Sequence, residues 1–195
     1  MGRAFMRVND NHTIYIITYM ADYKYLLELI RISKETKNSV ILPRARLSGV
    51  DLRGADLRDA VLTAVDLSGA NLENANLTGA RLTGANLSGA NLRGADFFRD
   101  GDVNPILSRV DLKRADLSGA DFTQANLKLA DLTDADLTDT NFSKAILIGV
   151  DLTRVKNFTR YSNGKRDNLR GTILVHAINV PDSFRKAKTR KCREL

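Results

Sequence analysis

The sequence predicts an all-β solenoid, a four-sided (quadrilateral) parallel β-helix, and three observations carry that prediction. Every fifth residue from Leu42 to Leu152 is Leu or Phe, with one interruption. Of these 22 block centres, nineteen are Leu and three are Phe (Phe97, Phe122, Phe142); two positions earlier stand fifteen Ala, five Val, one Pro and one Thr. The residue between is Asp or Asn in sixteen blocks, and nine of the 13 glycines sit two places after a centre. A fixed period of this kind is the signature of stacked repeats and settles the architecture before any local reading.

The period excludes a helix and a straight strand alike. An α-helix turns about 100° per residue, so a spacing of five scatters the Leu residues over all its sides. In an extended chain, residues two apart share a face, which aligns each Ala with its following Leu; an odd period then sends the next Leu to the opposite face. The pattern works only if the chain turns a corner in every block. Glycines such as Gly49, Gly54 and Gly69 stand at those corners, where a permissive backbone is required. Four corners close a square of about twenty residues, and squares stack at ~4.8 Å through strand-type hydrogen bonds. Ala and Leu face the narrow axis, and the intervening Asp or Asn points outward.

Blocks such as Ala70-Asn71-Leu72-Glu73-Asn74, Ala75-Asn76-Leu77-Thr78-Gly79 and Ala85-Asn86-Leu87-Ser88-Gly89 resemble the repeat of the pentapeptide-repeat family. The resemblance covers residues 40–154 and implies a right-handed, four-sided parallel β-helix. It implies no single activity. Relatives include cyanobacterial proteins of undefined role, bacterial effectors, and proteins that shield DNA gyrase from topoisomerase poisons by imitating DNA; a shared fold does not choose among them.

Three regions follow. Residues 1–39 form an N-terminal strand and helix cap: Thr13 to Tyr19 is β-prone, and Tyr23, Leu26, Leu27 and Ile30 recur at helical spacing between Ala21 and Lys37. That helix is expected to cover the open strand edge of the first coil, which otherwise invites association; a partner-binding helix is the alternative. Residues 40–154 are the coil, interrupted by a loop at 98–106. In strict register Asp100 and Asp102 would enter the apolar axis, so the segment must leave the coil. It either replaces two sides loosely or extrudes entirely, with Leu107 taking the next side. Residues 155–195 hold degenerate final repeats and a basic tail. Asn163-Gly164 marks a turn. Asn168-Leu169-Arg170-Gly171 and Thr172-Ile173-Leu174 read as two more blocks that restore about half a turn of coil. Beyond Pro181, Arg185, Lys186, Lys188, Arg190, Lys191 and Arg193 fill the basic segment.

The formal charge of +7 divides unevenly. Residues 1–39 carry six Lys/Arg against four Asp/Glu, residues 40–154 thirteen against sixteen, and residues 155–195 eleven against three. Basicity therefore belongs to the tail, where Arg185, Lys186, Lys188, Arg190 and Lys191 are candidates for non-specific contact with anionic partners; a solvated tail is the alternative.

No catalytic constellation, cofactor motif or metal spacing emerges. His12 and His176 lie far apart in sequence, and with the lone Cys192 they match no ligand pattern. Walker and Gly-x-Gly-x-x-Gly patterns are missing, as is the calcium β-roll repeat. The sixteen Asp/Asn read as ladder residues. Ser48, Ser68 and Ser88, with Thr63 and Thr83, would align vertically, a pattern too sparse to bind ice. The run Ile14 to Met20 is too short to span a bilayer, and the N-terminal residues fit neither a signal peptide nor myristoylation. Cys192-Arg193-Glu194-Leu195 lacks the aliphatic residues of a prenylation box. A cytoplasmic protein with no membrane contact is expected.

Three function classes remain. First stands a non-enzymatic scaffold that presents flat faces to an unidentified protein partner. Second stands a DNA mimic that binds gyrase, not favoured because arginines dilute the acidic coil; a mimic needs a charge density approaching one per ~1.7 Å. Third stands nucleic-acid binding through the tail. Loops of gyrase-protecting relatives touch the enzyme, so the resemblance makes Arg99, Asp100 and Asp102 contact candidates; a tolerated insertion is the alternative. Relatives also dimerise through the C-terminal end of the coil. Apolar Leu129, Ile146 and Ile148 at normally polar places make a homodimer there possible, with a monomer as the alternative.

Overall fold

The computed structural model describes residues 39–98, 105–157, 172–173 and 176–181, together with the backbone of four short strands outside those ranges. The repeat ladder is its core. In the first coils each residue between an Ala-type and a Leu-type position makes a parallel bridge to the residue twenty positions on: Ile41 to Val61, Arg46 to Asp66, Asp51 to Asn71, Asp56 to Asn76. Backbone bonds alternate in direction across each bridge, as in Leu42 N–H to Val61 O (2.9 Å) and Val61 N–H to Val40 O (2.8 Å). A coil of twenty residues with a bridge every five has four sides. We number them first to fourth, beginning with the sides that carry Ile41, Arg46, Asp51 and Asp56.

The extruded alternative describes the interruption. Arg81 pairs with Ile106, Asn86 with Asp111, Asn91 with Asp116 and Asp96 with Asp121, each 25 residues apart; from Ile106 to Asn126 the spacing is twenty again. One coil is thus longer by five residues, inserted between its fourth side and the next first side. Pro105 occupies the buried small-residue position before Leu107, where its missing N–H matters little.

Both inward positions are buried along the length of the ladder, Ala55 alone of those in residues 40–152 being only partly so. Leu67, Leu72, Leu77, Leu87 and Leu92 are wholly covered, as are Ala70, Ala75 and Ala80. The three phenylalanines all fall on the fourth side and stack: Phe97 on Phe122 at 4.4 Å between centroids, and Phe122 on Phe142 at 5.5 Å. Among the described residues one polar side chain is buried, Thr140 at an Ala position. Its Oγ1 donates to Leu117 O at 2.9 Å, which satisfies the hydroxyl inside the apolar axis.

The corners require a left-handed backbone two places after each centre. Nine glycines have φ between 61° and 70° there, but so do residues with side chains, including Ala64 (φ 55°), Asn74, Arg114, Asp134 and Lys144. Glycine is therefore preferred at the corner and not obligatory.

Two strands extend the first side before the coil begins. β1 (Phe5–Val8) pairs antiparallel with β2 (Ile14–Ile17), and β2 pairs in parallel with β3 (Val40–Ile41), in the register Ile14–Val40 and Tyr15–Ile41. The expectation from sequence assigns the covering of this edge to a helix. On the first side a strand takes it instead, because an Ile-rich extended run can supply the backbone partners that an open ladder lacks. The helix expected between Ala21 and Lys37 lies outside the described residues.

At the other end the ladder continues past residue 154, with Lys156 bridging Asp136. β4 (Tyr161–Ser162) and β5 (Arg166–Asp167) then pair antiparallel on either side of Asn163-Gly164. Ile173 rejoins the first side opposite Ile146, and Ile178 the second opposite Asp151. The half-turn is built on Thr172-Ile173 and Ala177-Ile178. The second of these carries Asn179 where a Leu would stand, so the sequence pattern did not disclose it, and Asn168 to Gly171 lie outside the described residues.

Candidate functional site

The four sides are not equivalent. All sixteen Asp/Asn of the intervening position accept a hydrogen bond at Oδ1 from the backbone N–H two residues on; Asp51 accepts from Arg53, Asn86 from Ser88 and Asp151 from Thr153. This Asx turn caps an N–H that the corner would otherwise leave to solvent. Ser68, Ser88, Ser118 and Thr138 add a hydroxyl donor to the same oxygen. The hydroxyls therefore serve the turns of their own blocks.

Fifteen of these sixteen Asx residues lie on the second, third and fourth sides. The first side reads Ile41, Val61, Arg81, Ile106, Asn126, Ile146 and Ile173 down its middle column. Five of the six blocks without Asx are there; Arg46 is the sixth. Apolar side chains offer no acceptor, so this side gives up the Asx turn at block after block. At the first of them the capped residue is Pro43, which has no N–H to satisfy.

The structure brings the three predicted self-association residues, Leu129, Ile146 and Ile148, onto this first side. Leu129 is 44% exposed and lies over the next corner, its Cδ2 2.7 Å from the place a Cβ on Gly149 would occupy. Ile146 and Ile148 are half-buried, less open than their sequence positions suggested, because neighbouring coils flank them closely. Ile173, 45% exposed, completes the patch and was not singled out from sequence. The twenty-residue spacing did not reveal it, because Ile173 lies 27 residues after Ile146, seven more than one coil. Arg99, Asp100 and Asp102, and the tail residues Arg185, Lys186, Lys188, Arg190 and Lys191, lie outside the described residues.

Charge is segregated in the same way. Over residues 40–98 and 105–154, the first side holds four Lys/Arg (Arg44, Arg81, Arg109, Lys128) and no Asp/Glu. The other three sides together hold eight Lys/Arg and fourteen Asp/Glu. There the cations are largely paired: Arg53 with Asp51, Arg58 with Asp56, Arg93 with Asp116, Lys113 with Asp111 and Asp131, Arg154 with Asp134. The Arg154 guanidinium holds both oxygens of Asp134, at 2.7 and 2.8 Å, and keeps that carboxyl below the usual range. The Arg53 guanidinium does the same for Asp51. At Asp131 partial burial pushes upward, but bonds from Thr133 and Lys113 outweigh it and the net direction is down. Asp136 is lowered likewise against burial, by Thr138 and Asn157. No described carboxylate sits within ion-pair distance of Arg44, Arg81, Arg109 or Lys128.

Among the described residues no group of three or more His, Cys, Asp or Glu is placed to hold a metal ion. No described helix is long and apolar enough to cross a membrane.

Known proteins resemble the chain over its ladder. The family model for pentapeptide repeats matches it in overlapping segments, residues 41–79, 60–97, 106–143 and 115–154. Members of that family form right-handed quadrilateral β-helices. A pentapeptide repeat protein of the Arabidopsis thaliana thylakoid lumen is 36% identical over 51% of this chain and 66% of its own, with a TM-score of 0.47. HetL, a pentapeptide repeat protein involved in heterocyst differentiation regulation in the cyanobacterium Nostoc sp. strain PCC 7120, is 28% identical over 71% of this chain and 76% of its own (TM-score 0.29). A trypsin-treated variant of QnrB1, a plasmid-mediated fluoroquinolone resistance protein, is 23% identical over 69% of this chain and 61% of its own (TM-score 0.40). The chain thus spans just under two thirds of the Arabidopsis protein and of that QnrB1 variant. No curated protein matches it.

Proposed function

This chain belongs to the pentapeptide-repeat family, and from that premise we propose that it is a non-enzymatic interaction scaffold, a rod whose first side docks a protein partner. One observation carries the reading: the apolar patch of Ile106, Leu129, Ile146, Ile148 and Ile173 lies on a single side, the one that holds five of the six blocks without an Asx residue. The fold requires no such exchange, since fifteen blocks on the other sides are built without it. An apolar strip, interrupted in its middle column by Arg81 and Asn126, on an otherwise polar surface marks a contact site. A contact between two copies would use the same Leu129, Ile146 and Ile148. A cytoplasmic setting suits this role, with no membrane involved.

A gyrase-binding DNA mimic is less well supported. The fourteen carboxylates of the second to fourth sides share their surface with eight cations, five of them ion-paired, far from the charge ladder of a duplex. Photo-crosslinking tests the scaffold reading. A photoreactive residue at position 129 or 148 should capture a partner in the source cell, whereas one at Ser118 on the third side should not. Equal capture from both sides overturns it.

A further inference from the structure

We propose that the first side selects an acidic partner: a helical segment of another protein that carries carboxylates and aliphatic residues along one face. This rests on the reading of that side as a docking surface and adds the chemistry that the surface recognises.

The argument is one of charge complementarity. Arg44 stands on the first coil of that side, Arg81 on the third, Arg109 on the fourth and Lys128 on the fifth. With coils stacked at ~4.8 Å, these cations run along roughly 19 Å of the rod. Among the described residues of that side not one carboxylate interrupts them, although fourteen are distributed over the other three sides. Elsewhere on the rod an arginine or lysine commonly finds an Asp in its own or the adjacent coil; here no described carboxylate reaches one. Cations without a described carboxylate partner beside an apolar strip fit a ligand that brings its own carboxylates. The apolar patch of Leu129, Ile146, Ile148 and Ile173 takes over on the fifth to seventh coils, so the partner's aliphatic residues belong at that end.

The backbone dictates the partner's form. Down this side the ladder groups already bond to the coils above and below, as in Arg81 N–H to Ala60 O and Leu82 N–H to Ile106 O. A partner strand has no free ladder to join, and contact must be made by side chains. A helix laid along the rod suits this, because its pitch of about 5.4 Å nearly matches the coil spacing of ~4.8 Å, and about twenty residues span the seven coils. A bilayer is a poorer occupant: Ile41, Val61, Ile106 and Ile146 are half-buried in a flat surface and do not project far enough to enter acyl chains. Duplex DNA is poorer still, since the aliphatic residues beside the four cations would lie against phosphate and sugar with no apolar partner.

The experiment uses the full chain and three synthetic twenty-residue amphipathic helical peptides with Leu on one edge of the docking face. The other edge is Glu, Gln or Lys in the respective peptides. By fluorescence anisotropy at ~0.1 M salt, the Glu peptide should bind at least tenfold more tightly than the Gln peptide. The double variant Arg81→Glu/Arg109→Glu should lose that preference, while Arg53→Glu/Arg93→Glu on the third side keeps it. Melting curves of both variants establish that the coil is intact. Equal binding of Glu and Gln peptides, still abolished by Ile148→Lys, overturns the acidic preference and leaves the docking side standing. No preferential binding of the Glu peptide overturns the proposal outright. So does stronger Arg81- and Arg109-dependent binding to phosphatidylglycerol vesicles or duplex DNA, or self-association lost in the same variant, which would identify a different occupant.

Discussion

Phe97 and Phe122 stack at 4.4 Å although the chain between them is five residues longer than in an ordinary turn of the coil. The five extra residues fall between Phe98 and Pro105, and the ring beneath Phe97 holds the register across them. The stack continues to Phe142, so the fourth side, from which the loop departs, is filled by three rings where the first two coils use Leu57 and Leu77. Offset aromatic pairs contribute about 0.5–1.5 kcal/mol beyond the area they bury.

Truncating the middle ring should be costly. Phe122→Ala removes contacts on both faces of a fully covered side chain and is expected to destabilise by about 3–5 kcal/mol. Phe122→Leu restores the residue of most other blocks, loses only the stacking and part of the volume, and should cost roughly 1–2 kcal/mol. Urea melts of the two variants measure the difference; equal costs would show that the rings do not act as a column.

The corner conformation predicts a pair of opposed effects. Gly69 has φ 63° with open space where a Cβ would lie, so Gly69→Ala meets backbone strain alone, about 1 kcal/mol. Ala64 already bears that strain at φ 55°. Ala64→Gly should relieve it, with part of the gain offset by the freer unfolded chain, for a net stabilisation of up to about 0.5 kcal/mol. Opposite shifts in denaturation midpoint are expected from two substitutions at exposed corners.

Much of this was legible because a solenoid writes its fold as a period. Leu42 through Leu152 fixed the inward positions, and the odd spacing demanded corners. The distribution among sides was hidden for a physical reason. Both routes for the loop keep Phe97 and Leu107 in the five-residue register, but they place Ile106, Leu129 and Ile146 on different sides. Only with the five-residue extrusion do Ile41, Val61, Ile106 and Ile146 fall into one column, and Ile173 joins it only after seven further inserted residues. The role of the outward Asp and Asn was half-legible. Their direction followed from alternation, whereas the bond each accepts from the N–H two residues on depends on the corner geometry. Ile178 was missed because Asn179 breaks the pattern that would have marked it.

Acid should weaken the coil from a defined set of carboxylates. Asp51, Asp131, Asp134 and Asp136 have folded pKa values below the ordinary 3.8 of an aspartate. The unfolded chain therefore takes up protons first as pH falls. Their contribution is complete well above about pH 4 and is lost as pH drops through the lowered folded values. Asp131→Asn keeps the Asx acceptor and discards the charge and its titration. The variant should show a shallower loss of melting temperature between about pH 5 and pH 2.5 than the parent chain. An unchanged slope would exclude Asp131 from the acid response.

The loop offers the sharpest test of the register. Deleting residues 100–104 joins Arg99 to Pro105 and rewrites the interruption as Ala95-Asp96-Phe97-Phe98-Arg99 followed by Pro105-Ile106-Leu107, an unbroken run of five-residue blocks. Arg99 would then stand at the corner position, where Arg44, Arg109, Arg114 and Arg154 already adopt the left-handed backbone. Phe97 over Phe122 and Arg81 opposite Ile106 should be preserved, now with twenty residues to the turn. The shortened chain should melt cooperatively within a few degrees of the parent, since halving a ten-residue connection changes closure entropy by only about 0.6 kcal/mol. Had the loop replaced two sides of the coil, the same deletion would displace every later block by one side and destroy the ladder. A soluble, cooperatively folded deletion variant with a parent-like strand spectrum therefore supports the extruded register, and an aggregated one refutes it. The same variant lacks Asp100 and Asp102. Partner capture from position 129 should survive in it, because the first-side stripe is intact. Capture lost from a folded deletion variant would transfer the contact from that stripe to the loop.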